Sequence, residues 1–288
     1  MSELVIDPNT PIGRTLANAA IAQKIIFFAG LPGTGKSLYL QQQAVLAHRA
    51  GRQVHLMQWD TARAPFETDE MLRKYPEIAG VTHPMIRKAV GSWARGALAN
   101  WAQAHPNDDH ILIGELPVVG NRFSELLHCS PDAAEPLLSS DSCLFLLPIP
   151  SRALRQHIEG ARELTIHAPR HDRESRDAPP SVVKAHWETV QKLAQQLDLA
   201  PTRNTTGYDP DSYRALFLYL LQNRHSQCLE ADQVWPTVGS VYDLDVSVLE
   251  LLATPDQVAQ AYAMVSRQYP GAQCQIAVDK WYQVASNE

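Results

Sequence analysis

Short runs of consecutive apolar residues are the clearest pattern along the chain. A strand that is apolar at every position is buried on both faces, which is typical of a parallel sheet covered by helices. Three such runs, together with two less uniformly apolar segments at residues 52–59 and 226–235, predict five strands. They fall within residues 24–29, 52–59, 110–115, 143–150 and 226–235.

Between these runs, apolar residues recur at the three- and four-residue spacing of helices, most extensively from Ile86 to Trp101. Ser151 has the residue type of a helix N-cap, and residues 254–257 form a capping box. Strands alternating with helices predict an α/β protein, with a three-layer α/β/α fold, a mainly parallel five-stranded sheet and helical additions. Residues 274–284 are expected to form a strand-like element at an edge.

One segment after the first strand carries recognisable chemistry. It reads Gly30-Leu31-Pro32-Gly33-Thr34-Gly35-Lys36-Ser37 and fits G-x-x-x-x-G-K-[ST], the pattern of a phosphate-binding loop. Glycine-rich backbone brings successive N–H groups close to a polyphosphate, at the N-terminus of the next helix. Lys36 is expected along the β- and γ-phosphates and Ser37 on Mg²⁺. The predicted nucleotide-binding set is Gly30, Leu31, Pro32, Gly33, Thr34, Gly35, Lys36, Ser37 and Leu38.

Carboxylates follow two of the predicted strands, at the edge where parallel sheets bind ligands. Glu115 ends the third strand and is predicted to orient Mg²⁺; a loop carboxylate without this role is the alternative. After the second strand, Asp60 is a candidate general base, and Arg63 a candidate for binding an anionic group of the substrate. Here the alternative is an exposed pair in which Asp60 caps a helix. Arg87 is a further candidate for substrate binding.

Residues 162–180 are rich in Arg, His, Asp, Glu and Pro. Such a segment cannot anchor a core, so we predict a mobile surface lid. Arginines on a closing lid stabilise the charge of a transferred phosphoryl group, although acids nearly match them here, and a solvated loop is the alternative. The candidate catalytic arginines are Arg170, Arg173 and Arg176. Arg152 and Arg155, in the helix before the lid, are candidates for further phosphate contacts.

With these features the chain resembles the P-loop kinases that phosphorylate nucleosides, nucleotides and other small metabolites. Asp60-Thr61-Ala62-Arg63 is similar to the substrate-binding turn of adenylylsulfate kinases, and residues 173–177 are loosely similar to the lid exit of adenylate kinases. Residues 115–122 differ from the Asp-Gly-Phe-Pro-Arg that adenylate kinases carry after the third strand. The resemblance implies a P-loop NTPase fold that uses ATP and Mg²⁺.

Net charge and the length of apolar runs limit the kinds of partner that are expected. A net charge of −6 disfavours nucleic acid or an anionic membrane as the main partner. No apolar run approaches the ~20 residues of a membrane span, and the N-terminus has no signal-like pattern, so a cytoplasmic location is expected. The combined interpretation is an ATP- and Mg²⁺-dependent kinase of a small metabolite. The alternative is a nucleotide-gated regulatory NTPase whose Arg-rich loop is reordered by ATP or GTP.

The length of 288 residues, 45% of them hydrophobic, is sufficient for one large core. We predict a lead-in at residues 1–23 with a short helix, followed by a single domain over residues 24–288. Within that domain, residues 64–109 would cover the acceptor, residues 162–180 would form the lid, and residues 199–288 would be a C-terminal extension.

Overall fold

The computed structural model describes residues 4–78, 80–169, 171, 174, 179–199, 207–235, 240, 243–244 and 246–284. Its strands are β1 Ile25–Ala29, β2 Gln53–Gln58, β3 His110–Leu116, β4 Cys143–Pro150, β5 Ser226–Ala231 and β6 Val248–Glu250. They form one sheet in the order β5-β4-β1-β3-β2-β6, and every pairing is parallel. The chain is therefore an α/β protein with a six-stranded parallel sheet.

Helices alternate with these strands along the chain. They are α1 Pro11–Ala22, α2 Lys36–Arg49, α3 Trp59–Arg63, α4 Asp69–Lys74, α5 Pro84–Ala104, α6 Glu135–Leu138, α7 Arg152–His167, α8 Pro180–Gln196, α9 Pro210–Leu220, α10 Pro255–Gln268 and α11 Gln273–Asp279. The predicted caps are confirmed, because the Ser151 side chain accepts from the Leu154 N–H and residues 254–257 form the capping box. Among the described helices, none has the length and apolar character needed to cross a membrane.

Helices cover both faces of the sheet. Ile25, Phe27 and Ala29 of β1 point into one core with α5, α8, α9 and α10, while Ile26 and Phe28 point into a second core with α1 and α2. Alternating side chains of a strand point to opposite faces, so a strand that is apolar throughout needs a helical layer on each side. The described part of the chain therefore has the layered α/β/α arrangement that the apolar runs predict.

Two predictions about the sheet are wrong. It has six strands rather than five, because the three-residue β6 is too short for an apolar run and extends the sheet beside β2. Residues 274–284 do not form an edge strand: Gln273–Asp279 is helix α11. Cys274 and Val278 are its buried residues, and their spacing of four matches one face of a helix rather than the two-residue repeat of a strand.

The N-terminal lead-in belongs to the second core. Helix α1 begins at Pro11, and Leu16 within it is fully buried. Before the helix, the Ile6 N–H donates a 2.9 Å hydrogen bond to Gln42 Oε1 of α2. A fully buried leucine contributes about 1.5–3 kcal/mol to the free energy of unfolding. The described part of the lead-in is thus a structural part of the domain.

Candidate active site at the carboxyl edge of the sheet

The glycine loop, residues 30–37, joins β1 to α2 at the carboxyl edge of the sheet. Gly30, Gly33 and Gly35 have φ angles of +143°, +77° and +85°, which side chains with a Cβ rarely adopt. At Gly30 a Cβ would also lie 2.2 Å from the hydroxyl of Tyr213. The glycines of the motif are therefore required by backbone conformation and, at Gly30, by close packing.

Lys36 is the first residue of α2 and is only 4% exposed. Its Nζ donates to the Leu31 carbonyl at 2.7 Å and lies 3.4 Å from Glu115 Oε1. Burial lowers the pKa of Lys36, Glu115 opposes this, and Arg162 and Arg155 lower it further. No side chain caps α2 at Gly35. The Leu38 N–H donates to the Gly35 carbonyl at 3.1 Å, whereas the N–H groups of Lys36 and Ser37 have no partner among the described residues and are available to a ligand. The loop thus places an ammonium group and backbone donors together.

Glu115 reaches this loop through the register of the sheet. It lies opposite Phe28 in the pairing of β3 with β1, two residues before Gly30. Its side chain is 20% exposed and borders the same cavity as Ser37. A hydroxyl and a carboxylate are oxygen ligands of the kind that Mg²⁺ prefers, so Ser37 and Glu115 are the pair suited to hold it.

A cavity of about 760 Å³ opens over the glycine loop. This volume is within the roughly 300–1,000 Å³ of small-molecule sites. Of the predicted nucleotide-binding set, residues 32–38 line the cavity, and Gly30 and Leu31 do not. Gly30 packs against Tyr213, and the Leu31 carbonyl accepts a hydrogen bond from Lys36. Asp60 and Arg63 also line it. The chain therefore brings both predicted carboxylates and the glycine loop to one cavity.

Asp60 and Arg63 lie on the short helix α3, which follows β2 directly. The Asp60 side chain is 76% exposed, and its Oδ1 lies 3.3 Å from Arg63 Nε. Arg63 Nη1 also donates to Glu67 Oε1 at 3.0 Å and to Thr82 Oγ1 at 3.1 Å. Each of the two sequence interpretations is met in part. Asp60 is an exposed residue in the first turn of a helix, as in the alternative interpretation. Asp60 and Arg63 both line the cavity, as a role in catalysis or substrate binding requires.

The loop after β3, residues 117–123, has an unusual backbone. Val118, Asn121 and Phe123 have φ angles of 62°, 61° and 64°, a region that residues other than glycine seldom adopt. Buried contacts hold it: Arg87 Nη1 donates to the Gly120 carbonyl at 2.6 Å, and Asn121 Nδ2 donates to Glu125 Oε1 at 2.8 Å. Such strain persists where the surroundings enforce it, often at functional sites.

Arg87 therefore has a different place from the one predicted. It is nearly buried in α5, is absent from the cavity lining and supports the 117–123 loop through Gly120. The loop in turn presents Arg122 to the cavity. Arg122 was not among the predicted site residues. The one sequence signal near it is Gly120-Asn121, a pair that favours a turn directly before Arg122.

Arg122 is a cation without a carboxylate partner among the described residues. Its Nη1 lies 3.4 Å from His186 Nε2 of α8. Burial, Arg87 and Arg63 lower the pKa of Arg122 to about 10, and Asp60 opposes this. Burial lowers the pKa of His186 to about 3, helped by Arg122, Lys36 and Arg155. Burial is the larger cause of this shift, and the three cations add a positive local potential to it.

Arg155 is the second buried cation near the loop. It is 1% exposed, its guanidinium carbon lies 3.5 Å from the place of a Cβ on Gly33, and it stacks 5.3 Å from the centre of the Tyr208 ring. Nε donates to Glu159 Oε1 at 2.6 Å, but neither Nη nitrogen has a hydrogen-bond partner in the described ranges. Neither Arg155 nor Arg152 lines the cavity, and Arg152 pairs with Asp209 at 2.5 Å.

The predicted lid is described only in part. Arg162 lies in α7 and lines the cavity. Glu174 also lines it, is 5% exposed, and accepts a 2.6 Å hydrogen bond from Ser240 Oγ. The candidate catalytic residues Arg170, Arg173 and Arg176 lie outside the described residues.

Together, the buried Lys36, the free donors of the glycine loop, Arg122 and Arg155 make this edge of the sheet suited to a multiply charged anion. Glu115 and Asp60 add carboxylates at two different parts of the cavity wall. Comparisons of the chain with protein-family models, with curated proteins and with solved structures found no match.

Proposed function

We propose that the chain is an ATP- and Mg²⁺-dependent phosphotransferase of the P-loop NTPase type, acting on a hydroxyl or phosphate of a small metabolite. The observation that carries the proposal is the position of Lys36. Its ammonium group is buried on a glycine loop, 3.4 Å from Glu115, beside a cavity of about 760 Å³. A buried ammonium requires anionic partners, and a polyphosphate at this loop supplies them.

On the donor side, Lys36 and the N–H groups of the loop bind the phosphates of ATP. Ser37 and Glu115 would hold Mg²⁺, which when bound neutralises charge on the β- and γ-phosphates. Arg155 and Arg162 both lie close enough to Lys36 to lower its pKa, so they add positive charge at the same place. This charge favours the transition state, in which negative charge spreads over the transferred oxygens.

On the acceptor side, Asp60 receives the proton of the attacking hydroxyl. An acceptor oxygen forms a bond to the γ-phosphorus, the bond from that phosphorus to the β–γ bridging oxygen breaks, and ADP leaves with the electron pair. Arg63 and Arg122 line the same cavity and bind an anionic group of the acceptor. Arg122 suits this role because no described carboxylate neutralises it.

A regulatory NTPase is the second candidate. Arg162 and Glu174 of the Arg-rich segment line the cavity that contains the glycine loop. A bound nucleotide would therefore contact the segment directly, and a change of nucleotide could alter its conformation.

The first experiment tests nucleotide use. Calorimetric titration with ATP and Mg²⁺ should show saturable binding, and Lys36→Ala should remove most of it because the main cation of the loop is lost. Lys280→Ala removes an exposed lysine outside the cavity and should bind like the unaltered chain. Absence of ATP binding in the unaltered chain would exclude the ATP-dependent phosphotransferase.

The second experiment separates the two candidates. ADP release should be slow with ATP and Mg²⁺ alone and should increase when fractions of a metabolite pool supply the acceptor. With that acceptor, Asp60→Asn should lower transfer by about 10²-fold or more, the contribution of a positioned general base, without changing ATP affinity. Asp256→Asn alters an exposed first-turn aspartate of α10 and is the matched control. Fast hydrolysis that no metabolite changes would favour the regulatory NTPase.

A further inference from the structure

Three histidines converge at the amino edge of the sheet, opposite the glycine loop. His110 begins β3, the strand that has Glu115 near its other end, and His55 lies on the neighbouring strand β2. His105 follows the last residue of α5. One ring nitrogen from each of the three lies within 4.8 Å of the others, and His55 Nε2 is 2.9 Å from His110 Nδ1.

We propose that His55, His105 and His110 form a binding site for a divalent transition-metal ion, Zn²⁺ in particular. Imidazole is a preferred ligand of Zn²⁺, and three protein ligands leave a fourth position for water or another small ligand. Tetrahedral Zn–N bonds of about 2.0–2.1 Å place the nitrogens roughly 3.3 Å apart. The observed spacing meets this requirement after small rotations of the rings.

The surroundings hold two of these rings in place. His55 is 5% exposed and packs edge-on against Trp101, with ring centres 5.5 Å apart. The Nδ1 of His110 faces His55, so its Nε2 is directed elsewhere and lies 3.9 Å from Asp109 Oδ1. Metal-bound histidines usually donate their second ring N–H to such a carboxylate, which orients the ring. The 3.9 Å gap is longer than a hydrogen bond, and rotation of the His110 ring on metal binding would close it and make Asp109 a positioning residue.

Imidazole ligates a metal in its neutral form, so the site should bind Zn²⁺ at neutral rather than acidic pH. Lys24 opposes binding by its positive charge, but its Nζ donates to the Asn107 carbonyl and lies over the Trp101 ring.

The site is independent of the proposed phosphotransfer chemistry. It joins the end of α5 to β2 and β3 from residues about fifty positions apart in the chain, so bound Zn²⁺ would cross-link three elements. A ligand that binds only the folded chain raises its stability by mass action. Zn²⁺ should therefore raise the unfolding temperature whether or not ATP binds at the other edge.

The test uses the full chain without a histidine tag, stripped of metal by dialysis against a chelator, transferred to chelator-free buffer and then titrated calorimetrically with ZnCl₂ at neutral pH. We expect one Zn²⁺ per chain, and we expect Co²⁺ to give the visible absorption of a tetrahedral nitrogen site. Asp109→Asn should weaken binding by about 10–100-fold, as is usual for a residue that orients a ligand. His105→Ala and His110→Ala should weaken it further. His48→Ala removes an exposed histidine elsewhere and should have no effect.

Urea unfolding of His105→Ala tests whether the variant remains folded. We expect it to remain folded, because His105 is only partly buried and lies at a helix end. Absence of saturable Zn²⁺ binding at millimolar metal would mean that the cluster is only a hydrogen-bonded group of histidines. Zn²⁺ binding that persists in His105→Ala but is lost in Glu115→Gln would place the ion at the glycine loop. Either result would overturn the proposed site.

Discussion

The chain buries arginines in two different settings. Arg95 and Arg224 lie between α5, the start of β5 and residues 125–135, where all of their side-chain nitrogens are hydrogen-bonded. Arg95 contacts Asp132 through two hydrogen bonds of 2.6 and 2.8 Å, and both arginines bind Glu135. At the glycine loop, the Nη nitrogens of Arg155 have no partner among the described residues, and Arg122 has only His186.

The difference separates a structural role from a binding role. A buried guanidinium is costly unless its charge is paired and its N–H groups are satisfied. Arg95 and Arg224 meet this condition within the folded chain, so they hold residues 125–135 in place. Arg155 and the half-buried Arg122 do not. An anion in the cavity would contact Arg122, which lines it, whereas Arg155 lies behind Gly33 and adds positive charge to the loop. Removing an arginine should therefore affect stability in the first setting and ligand binding in the second.

The largest effect is expected for Arg224→Met. Its side chain is fully buried, and its loss leaves Glu135 with one cation and the carbonyls of Leu126 and His128 without this donor. Breaking a buried pair in this way costs about 3–5 kcal/mol, measured as the free energy of unfolding in urea. Arg214→Met is the control, because the Arg214–Glu230 pair is exposed and should contribute at most about 1 kcal/mol. Equal losses in the two variants would contradict the structural assignment.

Gly30→Ala should have the next largest effect, because the glycine loop has little room for adjustment. The new Cβ would overlap the Tyr213 hydroxyl, at 2.2 Å, with a φ of +143°. We expect a loss of about 1–3 kcal/mol in the free energy of unfolding, the usual cost of overpacking. Gly96→Ala, a helical position with open space, should instead raise stability by roughly 0.5–1 kcal/mol.

The Tyr213→Phe change tests the cause of that loss. In the double variant with Gly30→Ala the hydroxyl is absent, so part of the lost stability should return, while the strain of the positive φ remains. If the double variant is no more stable than Gly30→Ala alone, close packing at Tyr213 is not the reason for glycine at this position.

Much of the fold follows from local sequence. Strands β1 and β4 are predicted because both of their faces are buried, which makes every position apolar, as in Cys143–Pro150. Strands β2 and β3 also contain polar residues, including His55 and Glu115. The glycine loop is predicted because its backbone conformation demands glycine at fixed positions. Prediction from apolar patterns fails for short elements. Around Cys274 and Val278 the pattern covers only one or two turns, and it did not distinguish a helix from a strand.

The missing parts of the site depend on contacts between distant residues. Arg122 faces the cavity because Arg87, more than thirty residues earlier, fixes Gly120 within a strained loop. The histidine cluster unites residue 55 with residues 105 and 110, a spacing that matches no metal-binding motif. Neither arrangement has a local signal, because tertiary packing sets the conformation of each.

The pH dependence of stability offers a smaller test of the positive potential at the cavity. The folded-state pKa of His186, about 3, lies below the roughly 6.5 of an unfolded histidine. The unfolded chain therefore binds more protons at acidic pH. The contribution of His186 is complete above about pH 6.5 and is lost as the pH falls from there towards 3. Between about pH 7.5 and 5 the loss should be on the order of 1 kcal/mol.

His186→Gln isolates this contribution, because glutamine cannot be protonated. Urea unfolding of the variant should show a smaller decrease between the two pH values than the unaltered chain, in which other histidines also contribute. A decrease of the same size in both proteins would mean that burial and the nearby Arg122, Lys36 and Arg155 do not lower the pKa of His186 in the folded chain.

The smallest effect on stability, and the sharpest test of the two settings, is expected for Arg155→Met. Methionine keeps the apolar stem against Tyr208 and removes a guanidinium with two unpaired nitrogens, while Glu159 is 41% exposed and can return to water. The free energy of unfolding should change by less than about 1 kcal/mol, or increase. Affinity for ATP and Mg²⁺ should nevertheless fall roughly tenfold, because a positive charge behind Gly33 and close to Lys36 is lost. Arg152→Met, at an exposed arginine of the same helix, should leave that affinity unchanged. A loss of stability as large as that of Arg224→Met would instead place Arg155 among the structural arginines.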